Sequence, residues 1–396
     1  MGTMAIYLDH AATTPLRPEV LEGYTEALRV VGNPSSIHAH GQTAKRMLEE
    51  ARERVAAALG CDPVEVIFTS GGTEAINTAI KGMFWARVAA GAPPRVLLPG
   101  GEHHATLDTV AWLAAHEGAE VLELPVDGRA ALPPDVLDGA LAGGAALVTA
   151  LWASNEVGTV QPVAELAAVA ARHGIPMHAD AVAALGQVPV DFRSSGLAAL
   201  SVSAHKIGGP VGIGALVLGR RAIAEPLVHG GGQQRGIRSG TQDVAGAVAF
   251  GIAATLAAEE LAATGAELAE LRDRLIAGVL GSVPGAVLRG AEPGPNRLPG
   301  NAHFTFAGCD GDSLLFLLDM EGFSVSTGPA CTAGVSELSH VLLAMGVPVE
   351  EARGALRFTL GAGSTAADVD ALLQVLPGVV TRARRAGHSD RVPQLH

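Results

Sequence analysis

The chain contains three lysines, Lys45, Lys81 and Lys206, and only the last stands where an ordinary surface role does not explain it. Lys45 lies among Arg46, Glu49 and Glu50, which reads as a solvated helix face. Lys81 precedes Gly82 and would suit the negative end of a helix dipole. Lys206 follows the apolar run 197–204 and precedes Gly208-Gly209, with no carboxylate nearby in sequence. An ammonium in such a place is costly unless its pKa falls or the amine is consumed in a covalent bond. A neutral lysine amine forms Schiff bases with carbonyls, that of pyridoxal phosphate (PLP) among them.

Several other groups have types and spacing that would serve such a centre. Ser70-Gly71-Gly72-Thr73-Glu74 joins a strand to a helix, where bare N–H groups and a hydroxyl cradle phosphate. Asp180 ends the apolar strand His178-Ala179-Asp180 and would suit a pyridinium nitrogen. His103, in Glu102-His103-His104-Ala105, lies at another strand-to-helix junction and could stack on a planar ring. A second glycine-rich loop, 230–241, carries Arg235, Arg238, Ser239 and Thr241, and reads either as an anion site or as a solvated turn. Cys331 sits among small residues in 326–334, as an accessible thiol rather than a core one. Arg357, between Leu356 and Phe358, is either a buried ion pair or a fork for a carboxylate. Cys61 and Cys309 read as core residues.

The elements that must position these groups follow from periodicity. After helices expected at 19–31 and 41–59, strands at 64–69, 95–98, 121–126, 146–152, 175–180, 200–204 and 214–218 alternate with helices at 72–86, 104–116, 134–141 and 162–173. Near-continuous apolar strands of this kind imply a mostly parallel seven-stranded sheet covered on both faces, with ligands beyond the carboxyl ends of the strands. A long helical stretch follows Asp243 to residue 280, with a break expected at Thr264-Gly265. The expected division is a large domain at 16–260, a smaller α/β domain from 1–15 and 261–380, and a frayed tail at 381–396.

Composition narrows the class. The formal charge of −13 over 396 residues, without a basic run before the last twenty, argues against a nucleic-acid partner. No signal peptide is visible, and no uninterrupted apolar stretch reaches the roughly 18 residues of a membrane span. Three cysteines without metal-ligand spacing fit a reducing cytoplasm.

Taken in order, these stretches resemble the class V aminotransferase family of PLP enzymes, and within it the cysteine desulfurases of the NifS/IscS type. The likeness runs from Tyr7–Pro15 through Asn155-Glu156-Val157-Gly158-Thr159 and Ser203–Gly214 to Leu356–Gly361, nearly the whole chain. It implies the type I PLP-dependent transferase fold. It also implies that Lys206 holds PLP covalently, Asp180 pairs with the ring nitrogen and His103 stacks on the ring. Gly72, Thr73, Ser203 and His205 would bind the phosphate, joined by Thr241 from the other subunit of a homodimer. Asn155 and Arg357 would hold the carboxylate of L-cysteine, with Asn155 also close to the cofactor. Cys331 would take the sulfur as a persulfide for a sulfur-acceptor protein. The chain departs from the family pattern at Ala183, where glutamine is usual, and at Ala75, Ile76, Ser154 and Pro329. The Ala183 exchange motivates other PLP chemistry, such as a C–S lyase, a selenocysteine lyase or an epimerase. A catalytically silent sulfur-pathway partner is a third expectation.

Overall fold

The computed structural model describes residues 5–328 and 338–389. Its largest sheet has seven strands: β2 (Val66–Thr69), β3 (Arg95–Pro99), β4 (Glu120–Leu124), β5 (Leu147–Leu151), β6 (Met177–Asp180), β7 (Ala199–Ser203) and β8 (Gly214–Leu218). Their order across the sheet is β2-β8-β7-β6-β5-β3-β4. Six run the same way. Only β8 is reversed, pairing antiparallel with both β2 and β7. Strands such as β5, β7 and β8 are buried at every residue, so each face must meet helices, and each does. One face carries the core of Val55, Leu166 and Phe250, the other that of Ile76, Phe84 and Leu98.

A second body of structure forms around a three-stranded antiparallel sheet of β9 (Ala286–Arg289), β10 (Asn301–Phe306) and β12 (Ala355–Thr359), in the order β12-β10-β9. Beside it, β1 (Ile6–Tyr7) pairs in parallel with β11 (Phe323–Ser324). Phe304, Phe306, Leu356 and Phe358 point from this sheet into a core shared with Leu8 and Leu372. Alternation along β10 and β12 therefore turns Asn301, His303, Thr305 and Arg357 to the opposite, polar face.

The helix Val244–Ser282 joins the two cores. Ala247, Phe250 and Ala254 serve the large sheet; Leu268, Leu275 and Val279 serve the small one. The break expected at Thr264-Gly265 is absent: the helix runs through unbroken. A lone glycine costs a helix interior only about 1 kcal/mol, and packing at both ends holds this one. The helix is long and apolar enough to span a membrane by composition alone, but it packs here as a core helix. Space is open around Gly265, so Gly265→Ala is expected to raise stability by about 0.5–1 kcal/mol, read as a higher urea midpoint at unchanged slope.

Two further expectations change. Lys81 does not end a helix; it lies inside Gly72–Ala89 with its ammonium 4.1 Å from the centre of the Trp112 ring. The last helix, Ala366–Ser389, continues well into the tail that was expected to fray, held by buried Val379, Val380 and Ala383.

Candidate active site at the carboxyl edge of the sheet

The strands β2, β3, β5, β6 and β7 all end at one edge of the large sheet, and the residues just beyond them line one cavity. Its walls include Gly72, Thr73, His103, Asn155, Asp180, Ala183, Ser203, His205 and Lys206, around about 210 Å³. A larger open groove of about 950 Å³ lies elsewhere, beside Ile175, Phe192 and Gly219, and shares none of these residues.

Lys206 follows β7 on a single 3₁₀ turn. Its ammonium donates to the carbonyls of Ala11 and Ala12 in the segment that follows β1. Burial, and then the nearby Arg357, depress its pKa to about 8, while Asp180 and Asp9 oppose that shift. The carboxylate missing from its sequence neighbourhood is thus supplied in space. Asp180 is 2% exposed and accepts from the Val182 N–H at 2.9 Å. Burial raises its pKa to about 6, against the pull of that N–H and of Lys206.

His103 caps the helix His104–Glu117, its Nδ1 accepting from the Ala105 N–H at 3.1 Å. Nδ1 is therefore the unprotonated nitrogen, and the ring's proton sits on Nε2. Burial, Lys206, His104 and His340 hold its pKa at about 4, so the ring is neutral at physiological pH. His205 is likewise held at about 4, by burial and then Lys206, with Nδ1 3.2 Å from the Thr13 hydroxyl.

The phosphate cradle is built on backbone shape. Gly71 has a φ of 153°, which side-chain-bearing residues rarely adopt, and a Cβ on Gly72 would come within 2.7 Å of Val182. The Thr73 and Ser203 hydroxyls have no hydrogen-bond partner among the described residues and line the same cavity. A buried carboxylate, a neutral capped imidazole, an amine of lowered pKa and an empty-handed helix N-terminus together fit PLP: Asp180 for the ring nitrogen, His103 for the ring face, Lys206 for the aldehyde and the cradle for the phosphate.

Arg357 reaches the site from the small sheet. Its Nη1 donates to the Asn155 carbonyl at 2.9 Å and its Nη2 to Asp9 Oδ1 at 2.7 Å. Thr241 is exposed and does not line the cavity. The loop that carries it docks on the chain itself: Arg238 pairs with Glu74 at 3.0 Å, and Arg235 donates to the Val64 and Leu218 carbonyls. Each of those two arginines is thus held by the chain through one of its nitrogens. Cys331 and Pro329 lie outside the described residues. Cys61 and Cys309 are buried free thiols with raised pKa values, Cys61 reaching about 12 through burial and nearby acids.

The departures from the family pattern have local reasons. Ala75 and Ile76 are buried in the helix packing, and Ile76 also lines the cavity. Ser154 closes the turn that presents Asn155, its hydroxyl accepting from the Glu156 and Val157 N–H groups. Sequence reasoning gave no role to Asp9, Glu102 or Glu156. Glu102 is fully buried against the Leu151 N–H, and burial pushes its carboxyl well above the usual range. Glu156, also buried, accepts from the Ser339 hydroxyl at 2.6 Å. Nothing local in sequence marks these three; only the pairing across distant segments does.

The family model described as Aminotransferase class-V matches residues 6–372. The chain belongs to the class-V aminotransferases. This is a family of PLP-dependent enzymes, so the cavity's fit to that cofactor and the membership agree. An IscS-like cysteine desulfurase of Mycobacterium tuberculosis is 54% identical over 385 residues, covering 96% of this chain and 97% of that protein. A solved NifS-like protein superposes with a TM-score of 0.87 at 34% identity, covering 96% of this chain and all of the other. A structure titled SspA in complex with cysteine matches with a TM-score of 0.78 at 30% identity, over 90% of this chain and 98% of that one. The expected type I fold, with its mostly parallel seven-stranded sheet, is the one observed.

Proposed function

We propose that this class-V aminotransferase is a cysteine desulfurase, converting L-cysteine to L-alanine and leaving a persulfide on Cys331 for transfer to an acceptor. The observation that carries this reading is the single cavity in which Lys206 and Asp180 converge with Asn155, beside Arg357. PLP, when bound, supplies an electron sink for the substrate's α-carbon. Lys206 would hold it covalently, and its amine, once the substrate's amine has taken its place, would carry a proton from the substrate and back. Asp180 would keep the ring nitrogen protonated, and His103 would cover the ring and hold a mobile proton on Nε2. Gly72, Thr73, Ser203 and His205 would take the phosphate, with Thr241 of a second copy. Asn155 and Arg357 would orient the substrate carboxylate.

Cys331 would attack as a thiolate: the S–S bond forms as the substrate's Cβ–S bond breaks, and the carbon is protonated on the way to alanine. The substrate L-cysteine, the homodimer and a sulfur-acceptor protein, in iron–sulfur cluster assembly or a thio-biosynthetic pathway, belong to this reading, as does a cytoplasmic setting without nucleic-acid or membrane partners. So does the division into domains at 16–260 and at 1–15 with 261–380, which the two separate cores support.

The deciding measurement is the amino-acid product from L-cysteine with dithiothreitol present. Alanine is expected there, and one added sulfur on the peptide that carries Cys331 is expected in a parallel reaction without reductant. Pyruvate would mean β-elimination, the alternative that Ala183 favours by leaving the cofactor one hydrogen bond short. Protein without a visible absorbance band that borohydride removes would instead be a silent partner.

A further inference from the structure

His303 lies in the middle of β10, fully buried, and neither ring nitrogen has a partner. Directly opposite it on β12 stands Arg357, and directly opposite on β9 stands Arg289. Residues opposed in this way share a face and lie within side-chain reach. Arg289 is committed, its Nε donating to the Thr305 hydroxyl at 2.9 Å and its Nη2 to Glu351. Arg357 is not fully committed. Its Nη1 and Nη2 are held by the Asn155 carbonyl and Asp9, but its Nε–H is buried without an acceptor. A donor and an acceptor thus stand unpaired on neighbouring strands, each at a cost that pairing would remove. The ring is suited to accept: burial, then Arg357, Arg297 and Arg289, hold its pKa at about 3, so it stays neutral.

We propose that His303 is a positioning residue for substrate recognition, accepting the Arg357 Nε–H when an incoming carboxylate displaces Asp9 from the guanidinium's outer edge. With Asp9 in place the guanidinium is anchored by its Nη atoms; once these turn to a carboxylate, it needs a hold on its inner side, and His303 is the group opposite. The proposal rests on the reading of Arg357 as the holder of the substrate carboxylate. It adds the residue that decides how firmly that fork is aimed.

The test uses the PLP-loaded enzyme and its visible cofactor band as a check on loading. His303→Leu removes the acceptor at similar volume, and His303→Gln keeps one. In His303→Leu, the KM for L-cysteine and the calorimetric Kd for 3-mercaptopropionate are expected to rise about tenfold, the loss of one hydrogen bond to a charged group. The value of kcat and the cofactor band should hold, and His303→Gln should recover most of the binding. Thermal stability of His303→Leu should stay level or rise, because two unpartnered buried nitrogens are removed. A merely structural histidine would give the reverse, lower stability with unchanged Kd, and that result overturns the proposal. So does equal weakening in both variants. Arg357→Ala separates the two layers: unchanged KM there removes the reading of Arg357 itself, whereas raised KM there with unchanged KM in His303→Leu removes only His303. Should His303→Leu not fold, the native enzyme decides. Its Arg357 Nε–H resonance, assigned by its loss in Arg357→Lys, must shift on adding 3-mercaptopropionate, and a fixed resonance refutes the role.

Discussion

Exchanging Lys206 for alanine is expected to lower the rate of alanine formation by about 10³-fold or more, because on the proposed reading it would remove both the covalent hold on the cofactor and the proton carrier. The expectation follows from the amine's surroundings rather than from its identity alone. Its pKa lies near 8, so a useful fraction is neutral and nucleophilic at physiological pH, which an exposed lysine at 10.5 would not provide. Borohydride followed by peptide mapping should label position 206 in the native enzyme and nothing in the variant. Without cofactor the same exchange acts on stability with the opposite sign. The amine's folded pKa is depressed, so it is destabilising at pH 7, and that penalty disappears as pH rises from about 8 to 10.5. Apo Lys206→Met, which keeps the volume, should therefore unfold at a higher temperature than the apo native chain at pH 7 and converge with it near pH 10.5.

Asp180→Asn carries the second large effect. The loss of a charge-assisted hydrogen bond to the ring nitrogen is expected to weaken PLP retention by about 10- to 100-fold, followed as loss of visible absorbance on dialysis. The ring would also lose the protonated nitrogen that makes it a strong electron sink, so activity at saturating PLP should fall as well. In the apo chain the sign again reverses. The Asp180 carboxyl is raised from 3.8 to about 6 by burial, so the native apo chain loses stability as pH rises through that window, by about 3 kcal/mol. The asparagine chain escapes this loss. It should match the native apo chain below pH 3.8 and exceed it above pH 6, as read by urea midpoints across that range. A variant that is more stable empty and worse when loaded is the signature of a site built for its ligand rather than for the fold.

The large sheet was legible because its strands are short apolar runs between helices, and their carboxyl ends fixed where a site must lie. Lys206 was legible for a physical reason, a scarce cation in an apolar context. The reversal of β8 was not, since a fully buried strand reads the same in either direction. Gly265 was overread, because a glycine marks a helix break only where packing does not hold both sides. On the polar face of the small sheet only Arg357 stood out, and its partners did not. His303 and Arg357 lie 54 positions apart, and only the antiparallel register of β10 and β12 makes them neighbours. Asp9 stayed silent for the same reason, its partner Arg357 being 348 positions away.

That last distance bears on how the enzyme is made. Residues 9–12 are synthesised long before Lys206 and Arg357, yet they meet both in the folded chain. Until the strand bearing Arg357 has been synthesised, the segment that follows β1 has only part of its final lodging, and β1 has no strand partner before β11 exists. The large sheet, by contrast, has all its strands by residue 218 and most of its cover with the first half of the helix Val244–Ser282. A nascent chain could therefore acquire its cofactor-binding edge well before it can aim a substrate at it, with long-range closure as the slow, final event of folding. PLP supplied during translation would find a partly built receptor, and the competence to bind cysteine would arrive only with the last strand.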